Sequence, residues 1–230
     1  MTPNPIPESL ASFARAVGAE RDPVVCEMDE RAERTGFPTV GPAVGGWLRL
    51  LAGAVDARRA FEFGSGYGYS AYWLAEALGP DGELVCCEYD SELLADARSY
   101  LERGGYADRV RFEEGDAVAA IDRYEGPFDV VLIDNEKHRY REAFEAVRGK
   151  VAPGGLVCAD NAVTSTGVAF DRLATMVHER ADGTDSGDRD PPSEATRGVA
   201  DYLVAVREAD AFETALLPLG EGMAVSRRTD

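Results

Sequence analysis

Short apolar runs alternate with amphipathic stretches along most of the chain. The runs are bounded by Gly, Asp or Asn, which is the pattern of buried strands. We predict strands over Ala60–Phe63, Glu83–Tyr89, Val110–Glu113, Phe128–Ile133 and Gly155–Ala159. Between them, apolar residues recur at helical spacing, as in the stripes Ala71/Leu74/Ala75/Leu78, Leu93/Leu94/Ala97/Leu101 and Tyr140/Phe144/Val147. Alternating strands and helices predict an α/β fold, with a parallel sheet covered by helices on both faces.

The two ends of the chain depart from this alternation. Residues 1–58 show helical patterns only, over Pro7–Val17, over Val24–Arg34 and in the stripe Val44/Leu48/Leu51. We therefore expect an N-terminal helical extension over residues 1–58, packed on a core domain of residues 59–230. At the other end, Phe212–Leu217 and Met223–Arg227 flank Gly220-Glu221-Gly222 and predict a hairpin, so one strand near the sheet edge runs antiparallel. The polar residues 181–196 predict a mobile loop.

Composition indicates a cytoplasmic protein. The chain has 230 residues, of which 45% are hydrophobic, so it has enough apolar side chains for one ordinary core. No apolar run reaches the length of a membrane span, and the N-terminal residues do not resemble a secretory signal. Four cysteines without metal-site spacing are expected to be buried free thiols, and the adjacent Cys86 and Cys87 are expected to point to opposite faces of one strand.

The charge of the chain is strongly negative. Asp and Glu number 42 against 24 Lys and Arg, which gives a net charge of -18. Such a surface repels itself in dilute buffer and is tolerated where salt screens it, which suggests a halophilic source. The same acidity argues against non-specific nucleic-acid binding, because that binding needs positive charge against phosphates.

A glycine-rich turn follows the first predicted strand. Gly64, Gly66 and Gly68 lie between that strand and a helix, and Glu88 follows near the end of the next strand. Glycines let the backbone turn tightly and let a ligand approach it, while an acid at the second strand end accepts hydrogen bonds from ribose hydroxyls. The arrangement predicts a cofactor that contains a nucleoside.

The residues around this turn favour one nucleoside cofactor over another. Tyr69 stands where a dinucleotide fingerprint has its last glycine, which disfavours an NAD-dependent oxidoreductase. Glu62, just before the turn, would repel a pyrophosphate but pairs well with the ammonium group of a methionine moiety. Charge therefore favours S-adenosylmethionine (SAM), which is a cation without phosphate.

Oxygen-bearing side chains follow the fourth and fifth predicted strands. Asp134 ends the fourth, and Asp160 and Asn161 end the fifth. Strand ends of an open α/β sheet meet in one crevice, and hard oxygen ligands suit Mg²⁺ or a similar divalent ion. Lys137 lies about one helical turn beyond Asp134. A cation nearby lowers a lysine pKa, so we interpret Lys137 as a general base.

These motifs, in this order, resemble those of the metal-dependent, class I SAM O-methyltransferases, which include the catechol and caffeoyl-coenzyme A enzymes and small bacterial and archaeal relatives. The resemblance spans roughly residue 38 to the C-terminus and is carried by FEFGSGYGYSAYWLA, CCEYD, FDVVLIDNEKHRY, GGLVCADN and LLPLGEGMAVSRR. It implies a Rossmann-like, seven-stranded, mostly parallel sheet with one antiparallel strand. It also implies transfer of a methyl group from SAM to a metal-coordinated hydroxyl of a small, catechol-like acceptor, and a homodimer.

The resemblance assigns roles residue by residue. Lys137 matches the general base, and Asp134, Asp160 and Asn161 match the ligands of a divalent metal, which the resemblance implies is Mg²⁺. The positions that match cofactor-binding residues are Val40, Glu62, Gly64, Ser70, Glu88, Asp116, Ala117 and Asp134. Asn135 and Glu136 replace a more usual Ala-Asp, and His138 stands where some relatives have an acid or amide, so the rim of the metal site differs here.

Two other functions stay open at this stage. A tRNA hydroxyuridine O-methyltransferase would need a basic patch, to which Arg139, Arg141 and Arg148 could contribute, although the net charge disfavours it. A non-catalytic SAM-binding module would have no need for the set formed by Asp134, Lys137, Asp160 and Asn161.

Overall fold

Seven strands form one mixed sheet in the order β3-β2-β1-β4-β5-β7-β6. The computed structural model describes residues 6–18, 20–184 and 191–230. Strands β1 to β5 are parallel, whereas β7 is antiparallel to both of its neighbours, β5 and β6. The strands are β1 (Arg59–Phe63), β2 (Glu83–Glu88), β3 (Val110–Glu114), β4 (Phe128–Ile133), β5 (Val151–Ala159), β6 (Phe212–Leu217) and β7 (Met223–Arg228). The predicted fold class and the C-terminal hairpin are confirmed.

Helices lie on both faces of this sheet. They are α1 (Glu8–Val17), α2 (Pro23–Thr35), α3 (Gly41–Ala54), α4 (Tyr69–Ala77), α5 (Ser91–Arg103), α6 (Ala117–Ala120), α7 (Tyr140–Val147), α8 (Phe170–Asp182) and α9 (Glu194–Glu208). Side chains of α2 to α5 share one apolar cluster with the sheet, and those of α6 to α9 share another. A strand between two apolar layers needs apolar residues on both faces, which explains the continuous apolar runs in the sequence.

The cysteines illustrate how the strands divide their side chains. Cys86 lies in the cluster under α2 to α5 and Cys87 in the cluster under α6 to α9, as their neighbouring positions in β2 predict. All four cysteines are free, and Cys86, Cys87 and Cys158 are buried. Cys26 is only half-buried, because it lies on the partly exposed helix α2. The prediction that all four cysteines are buried was therefore wrong for Cys26.

The N-terminal helices join the main core. Met28 of α2 and Leu48 of α3 are fully buried in the same cluster as the sheet residues. Helix α3 approaches α4 so closely that a Cβ on Gly45 would lie 2.3 Å from the Trp73 indole nitrogen. The division at residue 58 stays a prediction. Within the described residues, no helix combines the length and apolarity that crossing a membrane requires.

Two predicted boundaries were wrong. Strand β5 begins at Val151 rather than Gly155, because an irregularity in its pairing with β4, between Phe128 and Val130, accommodates the intervening Pro153 and Gly154. The predicted loop 181–196 is shorter than expected, since its first residues end α8 and its last residues begin α9, where the Ser193 side chain caps the helix. Residues 185–190 of that loop, and its predicted mobility, lie outside the described residues.

Candidate active site

The glycine turn after β1 needs glycine for two reasons. Gly64, Gly66 and Gly68 adopt φ values of 83°, 52° and 87°, in the left-handed region that side chains disfavour. A Cβ on Gly64 would also lie 2.7 Å from the backbone oxygen of Asp134, and one on Gly68 would lie 2.9 Å from the Ala97 Cβ. The turn therefore lies directly against the end of β4 on one side and against α5 on the other.

Glu62 is a fully buried carboxylate beside this turn. Its Oε1 accepts a hydrogen bond from the Ser70 hydroxyl at the start of α4, and its Oε2 lies 3.6 Å from the Cys86 sulfur. Burial raises the pKa of Glu62 to about 8, although the hydrogen bond from Ser70 favours the ionised form. A cationic ligand group at this carboxylate would stabilise the ionised form further.

Glu88, the last residue of β2, connects this strand to the glycine turn through a hydrogen bond. Its Oε2 accepts a hydrogen bond from the Gly66 N–H at 2.8 Å, and its Oε1 accepts one from the Asp90 N–H at 3.1 Å. A carboxylate has about four lone-pair directions, so these two bonds leave acceptor capacity for a ligand. Glu88 thus shapes the turn and keeps free acceptor directions for a ligand.

Three more predicted cofactor residues lie at the starts of helices α3 and α6. Val40 is buried just before α3, and Ala117 is buried at the start of α6. Asp116 caps α6 through the Val118 N–H at 2.9 Å and accepts two hydrogen bonds from Arg139, at 2.9 and 3.1 Å. Its hydrogen bonds with Arg139 lower the pKa of Asp116. Asp116 therefore contributes mainly to local structure, and a cofactor contact by its carboxylate stays a prediction.

Asp134 and Asp160 follow neighbouring parallel strands at matched positions. Ile133 of β4 pairs in register with Ala159 of β5, so the next residue of each strand lies at the same edge of the sheet. The buried Tyr140 hydroxyl lies 3.1 Å from the Asp160 backbone oxygen, to which it donates, and 3.5 Å from Asp134 Oδ1. The sequence prediction that these two aspartates meet in one crevice agrees with this geometry.

Asp160 has an unsatisfied oxygen. Asp160 is only 3% exposed, and its Oδ1 has no hydrogen-bond partner. Burial, and next the charge of Asp134, raise the pKa of Asp160 to about 8. Burial also raises the pKa of Asp134, against the opposing effect of Lys137. A buried, unpaired carboxylate oxygen beside a second carboxylate is a local environment that a cation stabilises.

Lys137 lies over the same two strand ends. Its Nζ is 3.0 Å from Asp134 Oδ1, 3.4 Å from the Asn135 backbone oxygen and 4.9 Å from the centre of the Tyr140 ring. A Cβ on Gly198 of α9 would lie 2.2 Å from the Lys137 backbone oxygen, so that glycine lets α9 pack against the turn that carries Lys137. The neighbouring His138 is exposed.

Asn161 completes the predicted metal set, and its backbone is unusual. It has a φ of 56°, in the left-handed region, and the residue is buried. Its side-chain Nδ2 donates a hydrogen bond to Glu221 Oε2 in the loop between β6 and β7. Burial raises the pKa of Glu221, against the effect of the hydrogen bond from Asn161.

The described part of the chain has no group of three or more His, Cys, Asp or Glu side chains arranged for a metal. The candidate metal ligands Asp134, Asp160 and Asn161 are not such a group, because one of the three is an amide. Sequence reasoning did not assign Tyr140 or Glu221 to the site. The helical periodicity places Tyr140 in an apolar stripe, and its hydroxyl is the one feature in the sequence that points to a polar role. The glycines on both sides of Glu221 predict a turn, and its carboxylate is the corresponding signal there.

The sequence profile of the O-methyltransferase family matches residues 19–229 of the chain. The chain belongs to this family. The predicted family and enzyme class are thereby confirmed. Among its relatives, the enzyme is 34% identical to a catechol O-methyltransferase of Niastella koreensis, over 70% of this chain and 75% of that protein. It is 31% identical to a catechol O-methyltransferase of Mycobacterium tuberculosis, over 73% and 78% of the two chains.

Solved structures agree with the fold. The O-methyltransferase TomG from Streptomyces achromogenes, involved in tomaymycin synthesis and solved in complex with SAM, superposes with a TM-score of 0.80 at 25% identity over 96% of each chain. An O-methyltransferase from Bacillus cereus in complex with SAH gives a TM-score of 0.77 at 23% identity, covering 96% of this chain and 97% of that one.

Proposed function

We propose that this O-methyltransferase transfers a methyl group from SAM to a hydroxyl of a small, catechol-like acceptor, with a divalent metal, Mg²⁺, as a second cofactor. One observation carries the proposal. The unpartnered Asp160 Oδ1, Asp134 and Lys137 lie together at the strand ends, and the glycine turn beside Glu62 packs against the same end of β4. The names of the relatives, with catechol as acceptor, agree with this proposal.

The cofactor is proposed to bind along the glycine turn. Glu62 pairs with the ammonium group of the methionine moiety, and Ser70 orients Glu62 through its hydrogen bond. Glu88 accepts hydrogen bonds from the ribose hydroxyls with its remaining lone pairs. Val40, Gly64, Asp116, Ala117 and Asp134 are proposed to line the rest of the cofactor site. The TomG structure, which contains SAM, supports this choice of cofactor.

The metal is proposed to be held by Asp134, Asp160 and Asn161. The donors are hard oxygens, and one of them, Asp160 Oδ1, is buried without a partner, so the residues fit a divalent cation such as Mg²⁺. When bound, SAM supplies an electrophilic methyl group and the metal lowers the pKa of the acceptor hydroxyl.

The protein's own side chains then carry the proton transfer. Lys137, as a neutral amine, accepts the proton of the acceptor hydroxyl. Asp134 Oδ1 lies 3.0 Å from Lys137 Nζ and holds this amine at the strand ends. A bond forms between the acceptor oxygen and the methyl carbon while the carbon–sulfur bond breaks. Lys137 and the glycine turn also contribute to catalysis because they align the reacting groups.

The test is methyl transfer to a panel of catechols in high salt, followed by mass spectrometry. Protein stripped with EDTA is compared with the same protein after Mg²⁺ is restored. We expect transfer only after restoration. Full activity in the stripped protein would contradict the metal, and a panel without any methylated product would contradict the acceptor class.

We propose that the enzyme has no nucleic-acid partner. Of the arginines that could form a basic patch, Arg139 is paired with Asp116 and Glu142, and Arg148 is paired with Glu145. Such pairing reduces the positive charge available to phosphates. Incubation of transcribed tRNA with labelled SAM tests this directly, and label recovered in the RNA would contradict it.

We propose that the enzyme is a homodimer, that its source is halophilic and that it is cytoplasmic. Exposed apolar side chains on α1 and α3, among them Phe13, Val17 and Leu50, are the surface where we expect subunit contact. Light scattering in high salt measures the subunit number. A melting temperature that does not rise with KCl would contradict the halophilic origin, because screening of a net charge of -18 must stabilise the folded state.

A further inference from the structure

Glu221 lies in the loop between β6 and β7, and this loop is joined to the segment that follows Asp160. The Glu221 backbone oxygen accepts hydrogen bonds from the Val163 N–H at 3.1 Å and the Thr164 N–H at 3.0 Å. The Gly222 backbone oxygen accepts another from the Ala162 N–H at 2.7 Å. Three backbone hydrogen bonds therefore fix the loop against the residues next to Asn161.

Glycine at position 222 is required for this contact. Gly222 has a φ of 87°, and a Cβ there would lie 2.2 Å from Val163 Cγ2. The loop and the segment thus approach each other more closely than side chains on both would allow. Glu221 is held in a fixed place relative to Asn161, although 60 residues separate them in the sequence.

The side chains meet in an orientation that matters for metal binding. An Asn side chain has one carbonyl oxygen, which accepts, and one NH₂ group, which donates. An ionised carboxylate only accepts, so Glu221 selects the Nδ2 end of Asn161. The carbonyl Oδ1 of Asn161 is the end left for another partner, and only that oxygen can bind a cation.

We propose that Glu221 is a positioning residue, which fixes the side-chain amide of Asn161 so that its Oδ1 serves as the third oxygen ligand of the divalent cation. This inference rests on the proposed function, because it presumes that Asp134, Asp160 and Asn161 hold the metal. Glu221 itself is not a ligand in this account. Residues that orient metal ligands typically change metal affinity about 10- to 100-fold when mutated.

The experiment measures the affinity of the full-length protein for Mn²⁺, used as a probe, by titration calorimetry in the absence of SAM. Glu221→Ala removes the acceptor and is expected to weaken Mn²⁺ binding about 10-fold or more. Glu221→Gln keeps an oxygen that accepts from Nδ2 and is expected to retain most of the affinity. Glu213→Ala, which removes an exposed carboxylate from β6 of the same hairpin, is the matched control and is expected to bind as the wild type does.

A double-mutant cycle isolates the contact. In an Asn161→Ala background, Glu221→Ala is expected to cause no further loss of Mn²⁺ affinity, because the side chain it orients is gone. Equal losses for Glu221→Gln and Glu221→Ala would overturn the inference, since they would indicate that the charge and not the orientation matters. If circular dichroism shows that Glu221→Ala is unfolded, Glu221→Met keeps the side-chain length without an oxygen and takes its place.

The failure of this inference is distinguishable from failure of the proposed function. A wild-type protein that binds no Mn²⁺ would overturn the metal site itself. A wild-type protein that binds Mn²⁺, together with Glu221→Ala binding equally well, would overturn only the positioning role.

Discussion

The two halves of the candidate active site differ in how completely their carboxylates are satisfied. In the half around the glycine turn, both oxygens of Glu62 and both oxygens of Glu88 have partners within the protein. In the half at the ends of β4 and β5, Asp160 Oδ1 is buried without a partner and faces the charge of Asp134. The first half satisfies its carboxylates within the folded chain, whereas in the second half the Lys137 ammonium contacts Asp134 and leaves Asp160 Oδ1 without a partner.

This difference distinguishes a half that is held rigid by its own hydrogen bonds from a half that the proposed cation would complete. Hydrogen bonds within the protein hold the cofactor half in shape before a ligand arrives, which reduces the entropy that binding must overcome. The buried Asp160 and the half-buried Asp134 repel each other, and a divalent ion would relieve this unfavourable electrostatic free energy. We therefore expect mutations in the two halves to separate cofactor binding from metal binding and from chemistry.

The largest effect is expected at Lys137. Lys137→Ala should lower kcat by roughly 10²- to 10⁴-fold, because it removes the proposed proton acceptor. The SAM dissociation constant, measured by calorimetry, should stay unchanged, since Lys137 belongs to the other half. Arg141→Ala, an exposed change one helical turn away, is the matched control. Undiminished turnover in Lys137→Ala would disprove the base assignment.

The next effect is expected at Glu62. Glu62→Gln keeps the shape of the side chain but removes the charge that pairs with the SAM ammonium, at a cost of about 2 kcal/mol or roughly 30-fold in SAM affinity. Mn²⁺ affinity should not change in the same protein. If the affinities for SAM and for Mn²⁺ fall together, the two halves are coupled, and the division into a cofactor half and a metal half is wrong.

The pH dependence of stability tests the incomplete half. The pKa of Asp160 is about 8 in the folded protein and about 3.9 in an unfolded chain, so the folded state binds more protons between these values. The free energy of unfolding of metal-free protein should therefore fall as pH rises from about 4 to 8 and then level off. Between pH 6 and pH 8.5 the wild type should lose on the order of 2–3 kcal/mol of unfolding free energy through this group, and Asp160→Asn should not show this loss. Urea unfolding at the two pH values measures this, with Asp171→Asn, an exposed carboxylate on α8, as the control. Parallel pH profiles for the wild type and Asp160→Asn would contradict the raised pKa.

The smallest effect is expected at the ion pair that links the two halves. Asp116, beside the cofactor half, pairs with Arg139, two residues beyond Lys137. Because the pair is partly exposed, Asp116→Asn should weaken SAM binding by only about 0.5 kcal/mol, roughly twofold. A loss of SAM affinity as large as that of Glu62→Gln would assign Asp116 a direct cofactor contact.

Much of the cofactor half was predictable because its signals are local in sequence. The glycine turn, Glu62 and Ser70 fall within one strand–turn–helix segment, where spacing alone determines which residues are neighbours. Asp134 and Asp160 were predictable for a different reason, since parallel strands end at the same edge of a sheet. The start of β5 was missed because Pro153 and Gly154 are typical of turns, and only pairing with β4 extends the strand through them.

Tyr140 and Glu221 were not predictable in the same way. The Tyr140 ring belongs to the buried face of α7, so periodicity classifies it as core, and only tertiary packing brings its hydroxyl to the Asp160 backbone. Glu221 and Asn161 are 60 positions apart in the sequence. The composition of the loop around Glu221 predicts a hairpin but does not predict which residues that hairpin contacts. Long-range contacts of this kind depend on the path of the chain, which local pattern does not encode.

The position of β7 has a consequence for biosynthesis. This strand lies between β5 and β6, yet it follows every other strand in sequence, and Glu221 immediately precedes the glycine before it. A ribosome therefore delivers β7 last, and until then β5 has an unpaired edge and Asn161 lacks its partner. The contact between Asn161 and Glu221 can therefore form only after β7 has left the ribosome, and the proposed metal site is incomplete until that point.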